Sequence, residues 1–279
     1  MELAYLTWNT DPVMFTLGAA SVRWYSVFLV LSIVTSYMFL KRMFIREGVS
    51  PDLLFSYGIF IIAGLIIGGR LMHCLAYEPE YYLKYPWDII KPWRGELGNN
   101  ARFVGYRGMS GHGSALGIVL GIAINAWRTQ TSMVWMVDRI ALFGPLVGFF
   151  VRIGNFFNAE IQGKPTSASV GVVFTHADKI PRHPVQLYEA AAYGVIFLLA
   201  YRYYRKTAGH EKPGAMLGFV LILVYTARFF IEFFKARQSD VENDLFLNMG
   251  HLLSLPFILA GLILYFRPHN KKTKPQEAT

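Results

Sequence analysis

The sequence predicts an all-α polytopic membrane protein, with about seven transmembrane helices and an extracytoplasmic loop region. Three observations predict it. Hydrophobic residues make up 54% of the 279 and charged residues only 16%, where an ordinary soluble chain carries about 25% charged. The apolar residues gather into runs of the roughly 17–25 residues that cross about 30 Å of hydrocarbon as a helix. Inside lipid the backbone must satisfy itself, which leaves helices or closed barrels, and these runs are too continuous for the roughly ten-residue alternation of barrel strands. A disordered chain and a highly charged solenoid are excluded, and an ordinary soluble enzyme is disfavoured.

The first span is placed at about 21–40, where Trp24–Leu40 is one of the two clearest runs. Met1–Asn9 holds no Lys or Arg, so no signal-peptide n-region is expected and this span should be retained. The second span is about 53–75. Cys74, the single cysteine, lies near its end; it excludes an internal disulfide and a multi-cysteine metal site, and its expected role is that of a small buried apolar residue. A loop over about 76–109 follows, rich in Tyr81, Tyr82, Tyr85, Trp87 and Trp93, aromatics that suit the water–lipid interface. The third span, about 110–127, is short and glycine-rich. The fourth, about 132–156, carries Asp138, Arg139 and Arg152. A second loop covers about 157–183 and includes a β-like stretch, Ala168–Thr175. Spans five, six and seven fall at about 184–203, 214–234 and 245–266, and a basic polar tail runs over 267–279. With no internal repeat visible, 1–279 reads as a single integral-membrane domain.

Basic residues follow every odd span: Lys41, Arg42 and Arg46; Arg128; Arg202, Arg205 and Lys206; Arg267, Lys271, Lys272 and Lys274. Short positive loops face the cytoplasm, so the N-terminus is expected outside and the C-terminus inside. The net charge of +9 is then explained by topology and anionic lipid, and no nucleic-acid partner is expected.

Charges within the spans carry functional information. At about 1.5 Å per residue, Arg70, Arg152 and Arg228 stand roughly 25, 30 and 21 Å from the inner face. Arg23 and Tyr25 open the first span at its outer end, and His112 opens the third. All therefore fall in the outer half of the bilayer. A charge at the bilayer centre costs about 2.5–3.5 kcal/mol on insertion scales, so such groups pair or line a wet cavity. Each arginine alone has the competing reading of a snorkelling anchor. Together they suggest a cavity for an anion, and since an Arg fork matches a phosphodiester, most simply a phospholipid headgroup.

Four segments stand out. In 108–117, GMSGHGSALG, the glycines allow close helix packing and leave His112 as the only titratable side chain, suited to taking a proton from a thiol or hydroxyl; a packing histidine is the alternative. In 152–164, RIGNFFNAEIQGK, Arg152, Asn155 and Asn158 form a polar stripe, and Glu160 and Gly163 follow where the chain leaves the membrane. In 181–189, PRHPVQLYE, the residues Arg182, His183, Gln186, Tyr188 and Glu189 gather at the mouth of the fifth span; a capped interfacial helix start is the alternative. In 225–235, YTARFFIEFFK, Glu232 shares a helix face with Arg228, as a functional pair or a structural one. Nucleotide-binding, zinc-protease, serine-nucleophile and acidic metal motifs are absent from the sequence, so no metal or cofactor is required.

Taken together, GMSGHG, RIGNFFNAEIQGK, RHPVQLYE and RFFIEFFK resemble the bacterial prolipoprotein diacylglyceryl transferase family, over a stretch from Arg23–Tyr25 to His251–Pro256. The resemblance implies a transferase of the bacterial cytoplasmic (inner) membrane, active toward the outer leaflet. It would move the diacylglyceryl group of phosphatidylglycerol to the lipobox cysteine thiol of a prelipoprotein, forming a thioether and releasing glycerol phosphate. It places His112 and Arg228 in catalysis. Arg152 is implied to contact the headgroup, with Asn155, Asn158, Glu160, Gly163, Tyr25, Arg70, Glu232 and His183 also assigned to lipid binding. Two departures are Ser114 and Lys164, where the family often has Gly and Arg. The alternative reading is a phospholipid transporter or flippase with an Arg-lined cavity; polar groups at one face and the lack of a repeat argue against it.

Overall fold

Each of the seven membrane-length runs is helical in the computed structural model. The helices are α1 (Trp24–Arg46), α2 (Pro51–Met72), a short α3 (Pro79–Lys84) in the first loop, α4 (Gly111–Thr129), α5 (Met133–Phe157), α6 (Val185–Thr207), α7 (Ala215–Ile231) and α8 (Met249–Phe266). A π-helical turn, His73–Tyr77, prolongs α2, and a 3₁₀ turn, Glu232–Phe234, ends α7. The structure describes residues 5–18, 20–91, 93–94, 102–103, 109–207, 212–236 and 247–268. Most of the expected basic tail, including Lys271, Lys272 and Lys274, parts of the expected 76–109 loop, and residues 208–211 and 237–246 lie outside them.

Five of these helices are long and apolar enough to cross a membrane: α1, α2 with its π turn, α5, α7 with its 3₁₀ turn, and α8. The other two long helices are more polar. α4 holds Gly111, Gly113, Gly117 and Gly121, and α6 carries Gln186, Glu189, Arg202, Arg205 and Lys206. Burial is inverted relative to a soluble domain. Along α8, Leu253, Leu259 and Ile263 are exposed while His251 and Ser254 are buried. Lipid is as apolar as leucine, so apolar side chains face outward and the small and polar ones make the helix contacts. The chain is a polytopic helical membrane protein.

The contacts divide the chain into two compact units, Met43–Met136 and the remainder. Within the first, α2 and α4 run antiparallel on a seam of glycines. A Cβ at Gly117 would overlap the Gly64 carbonyl, one at Gly113 the Gly68 carbonyl, and one at Gly121 the Phe60 carbonyl. The Ser114 hydroxyl donates across this seam to the Leu65 carbonyl (3.0 Å) and Ser56 to Asn125 Oδ1 (2.7 Å). Cys74 is buried in this unit, as expected of it.

In the other unit, α5 runs antiparallel to both α1 and α6. Tyr25 lies against Gly154 and Phe39 against Phe143; Gly148 lies against Tyr193 and Phe143 against Phe197. α7 and α8 close on each other at Gly218 and Gly261, and Tyr225 stacks on Phe257 with centroids 4.3 Å apart. Asp138 on α5 caps the N-terminus of α7, accepting from Gly214 N (2.7 Å) and Leu217 N (2.9 Å). That is a physical use for an acid buried in an apolar span.

Among the described residues there are also seven short strands: β1 (Leu6–Trp8), β2 (Val13–Leu17), β3 (Ala20–Arg23), β4 (Trp93–Arg94), β5 (Arg102–Phe103), β6 (Val172–Phe174) and β7 (Pro181–Arg182). β2 pairs antiparallel with β3, and β4 with β5. β6 lies inside the expected β-like stretch and pairs parallel with β1 and antiparallel with β7. Beneath this sheet Phe156, Val172, Phe174 and Trp8 form a small apolar core, which ties the last turn of α5 to the second loop.

Candidate active site

Antiparallel packing brings the last turns of α5 and α7 and the first turns of α1, α6 and α8 to one end of their unit. Asn155, Gln186, Glu189, Glu232, Lys235 and His251, all buried, gather there. Arg152, one turn from the end of α5, points at Glu189 in the first turns of α6, with Nε 2.8 Å from Oε2. Lys235, just past the 3₁₀ turn, approaches the other oxygen of the same carboxylate (Nζ to Oε1, 2.9 Å) and also Glu232 Oε2 (3.3 Å). Arg228 on α7 lies against the Tyr193 hydroxyl and interacts with Glu189 and Glu232. Glu189 is wholly buried and Lys235 nearly so. These are ion pairs by distance; neither Glu189 oxygen has an aligned hydrogen-bond donor among the described residues. Arg152 and Arg228 thus share Glu189 and Tyr193 as partners.

The stripe after Arg152 is also built. Arg152 Nη1 donates to Asn155 Oδ1 at a long 3.4 Å, and Asn155 Nδ2 and Asn158 Nδ2 donate to the two oxygens of Glu160 (3.2 Å each). Ala159 and Ile161, on either side of Glu160, both hold positive φ (53° and 54°). A β-branched residue there is uncommon and strained. The turn folds Glu160 back over the two asparagines, and Gln186 Nε2 fixes it by donating to the Glu160 carbonyl (2.6 Å). Tyr25 packs against Gly154, within one residue of Asn155.

Gly163 marks a backbone crossing. Its N–H donates to the His183 carbonyl (3.1 Å), Lys164 N donates to the Phe234 carbonyl (2.8 Å), and Arg182 Nη1 donates to the Gly163 carbonyl (3.0 Å). A Cβ at Gly163 would overlap the His183 carbonyl and lie 2.8 Å from the Phe234 oxygen. Its contribution is to let three segments close. His183 has a similar supporting place: Nδ1 is 3.1 Å from the Tyr188 hydroxyl and the ring packs on Phe234. Arg182 also pairs with Asp178, holding that carboxyl below the usual carboxylate range.

Glu232 differs from its expected pairing. Its near ion pair is with Lys235, and Arg228 interacts with it as a further charge. Its carboxylate also rests on Gly250 at the start of α8, where a Cβ would stand 2.5 Å from Oε2. An anion there complements the α8 dipole. His251, the next residue, is buried against Phe229 and Phe233, and neither ring nitrogen has a partner among the described residues.

Two nominated residues lie in the other unit. Arg70 is buried, donating from Nε to the Ile89 carbonyl (2.9 Å) and from Nη2 to the Asp88 carbonyl (2.8 Å), with Tyr82 beneath it. These bonds fasten the first loop. His112 is exposed in the first turn of α4, one residue past the N-terminal Gly111, with Ser110 as the cap. Lys235 and Tyr193 escaped the sequence reading, and Gln186 and Glu189 were placed at the mouth without a role. An acid in the first turns of an apolar span was the available signal for Glu189. Nothing local marks Tyr193 among many apolar aromatics.

A geometry of fixed guanidinium and ammonium groups around buried carboxylates can hold an anion and stabilise negative charge that grows on a leaving group. No group of three or more His, Cys, Asp or Glu side chains among the described residues could hold a metal. Comparison with known proteins agrees with the sequence motifs. The profile of the family described as prolipoprotein diacylglyceryl transferase matches residues 12–267. Relatives named phosphatidylglycerol–prolipoprotein diacylglyceryl transferase include one from Tolumonas auensis, 38% identical over 270 residues, covering 96% of this chain and 100% of its own. One from Chloroherpeton thalassium is 39% identical over 265 residues (95% and 94%), and one from Nitrosomonas europaea 37% over 275 (96% and 93%).

Proposed function

The chain belongs to the prolipoprotein diacylglyceryl transferase family, and from that premise we propose that it transfers the diacylglyceryl group of phosphatidylglycerol to the lipobox cysteine of a prelipoprotein. The thiolate sulfur attacks the glyceryl carbon that carries the phosphate oxygen. A carbon–sulfur bond forms, the carbon–oxygen bond breaks, and its electron pair leaves on glycerol phosphate. The observation that carries this reading is the meeting of Arg152 and Arg228 around Glu189 at one end of the bundle.

In this mechanism Arg152 grips the phosphodiester and Arg228 opposes the charge that grows on the departing phosphate, which needs no reorganisation because both are already held. Asn155 and Asn158, braced by Glu160, line the headgroup position beside Arg152, and Tyr25 closes it from α1. Gly163, His183 and Glu232 hold the walls. Arg70 supports the first loop. His112 takes the thiol proton; a free cysteine has a pKa near 8.5, so local positive charge also favours the thiolate. The working end faces the outer leaflet of the bacterial inner membrane, with the N-terminus outside and the C-terminus cytoplasmic.

The test uses purified protein, phosphatidylglycerol vesicles and a lipobox peptide, read by mass spectrometry of the peptide. The expected product carries one diacylglyceryl group on sulfur, with glycerol phosphate released in equal amount. Arg152→Ala should lose about a hundredfold or more in rate, as for removal of a charge-stabilising donor. An unmodified peptide with the wild-type protein overturns the activity; normal turnover by Arg152→Ala overturns the headgroup assignment, and a near-wild-type rate in His112→Gln removes His112 as base.

A further inference from the structure

The most deeply buried charge of the site belongs to Glu189, for which the reaction itself supplies no task. It is an anion placed where an anionic substrate must bind. A buried carboxylate in that position competes with the lipid phosphate unless it serves the cations in another way. The contact geometry indicates how. Glu189 meets Arg152 at Nε, the side of the guanidinium nearest its own chain, at 2.8 Å. The opposite edge carries Nη1 and Nη2, and its one described contact is the long 3.4 Å bond to Asn155. The Arg152 side chain keeps 12% of its surface exposed while Glu189 keeps none. A carboxylate on Nε thus turns the two-pronged edge away from itself, and that is the edge a phosphodiester engages.

Charge counting gives Glu189 a second role. Among the described residues the cluster has three cations, Arg152, Arg228 and Lys235, and two buried carboxylates, Glu189 and Glu232. Glu160, which braces the asparagines beside Arg152, is exposed, and solvent screens its charge far more than those of the two buried carboxylates. One positive charge is left over. A phosphodiester carries one negative charge, whereas a phosphate monoester carries close to two at neutral pH. Coulomb energy scales with the ligand's charge, so the negative charge that Glu189 adds to the site weakens a dianionic monoester about twice as much as the monoanionic lipid and favours release of glycerol phosphate.

We propose that Glu189 is a positioning and specificity-determining residue: it aims the Nη edge of Arg152 at the lipid phosphate and sets the site charge so that the monoester product leaves. This rests on the transferase reading above. Glu189 touches neither substrate nor the reacting atoms.

The experiment compares wild type, Glu189→Gln and the double variant Glu189→Gln/Lys235→Gln, each checked for folding by size exclusion in detergent. Thioether formation is measured against phosphatidylglycerol, and inhibition against added glycerol phosphate. Glu189→Gln raises the surplus charge by one and frees Arg152. Its kcat should fall about a hundredfold, the scale of a misplaced reactant, and glycerol phosphate should inhibit at least about tenfold more tightly. The double variant removes one charge of each sign. It should return product inhibition toward the wild-type value while kcat stays low, a split that general destabilisation does not produce. A Glu189→Gln enzyme with wild-type kcat overturns the positioning role, and unchanged product inhibition overturns the charge role. If Glu189→Gln does not fold, the charge-balanced double variant decides alone: wild-type kcat there overturns positioning, and product inhibition far from the wild-type value overturns the charge role. Inactivity of the wild-type protein itself would instead refute the transferase reading.

Discussion

Gly163 sits where the chain leaving α5 crosses the start of the sixth-helix segment and the end of α7, and its missing side chain is what allows the crossing. We expect Gly163→Ala to force the His183 and Phe234 backbones apart. Overpacking of this kind costs about 1–3 kcal/mol, and here it would also move Lys235 and the loop after Asn158. Thermal unfolding in detergent should show a lower midpoint, and thioether formation should fall more steeply than stability does. A variant with unchanged activity would mean that the crossing has slack. The sequence placed Gly163 in the substrate site, and only the three closing segments show why glycine stands there. Arg152 stood out in the sequence by its depth in an apolar span. Its partner was not, because Glu189 lies far along the chain and no local pattern pairs them.

At the level of elements, the expected spans coincide with helices, with ends displaced by a few residues. The third runs to Thr129, beyond the expected 127, and the seventh starts at Met249, after the expected 245. Hydropathy reports where lipid begins, while helix ends follow capping, so such offsets arise naturally. Asp138 and Arg139 are charges within the apolar fourth span. The structure explains Asp138: it caps α7, a service no sequence window reveals because the acceptor and its N–H donors sit on different helices. Asp138→Ala should remove this cap and lower stability by about 0.5–2 kcal/mol. Hydrogen exchange should then be faster in the first turn of α7 than at its C-terminal end. Uniform exchange along α7 would refute the capping role.

For the whole molecule, the lipid-facing surface and the polar end together imply an orientation. By the charge rule the positive residues after α1 and α6 are expected to face the cytoplasm, and the cluster around Glu189 lies at the other ends of these two helices. In a Cys74→Ser background, Ser169→Cys in the second loop should react with a membrane-impermeant maleimide in intact cells with a permeabilised outer envelope. Arg267→Cys after α8 should react only once the inner membrane is opened. The reverse pattern would invert the topology and place the cluster at the cytoplasmic leaflet.

The amino-acid sequence alone determined that this protein is a bundle of membrane helices, where those helices run, which family they resemble, and that arginines lie deep within them. These are properties of short windows, since hydropathy and helical period are summed over residues close along the chain. Tertiary structure alone decided which carboxylate meets which cation, that Arg70 fastens a loop, that Asp138 caps a distant helix, and that Glu189 and Lys235 belong to the cluster. Most of these are contacts between residues well separated along the chain, and electrostatic pairing depends on distance in space, which no local pattern records.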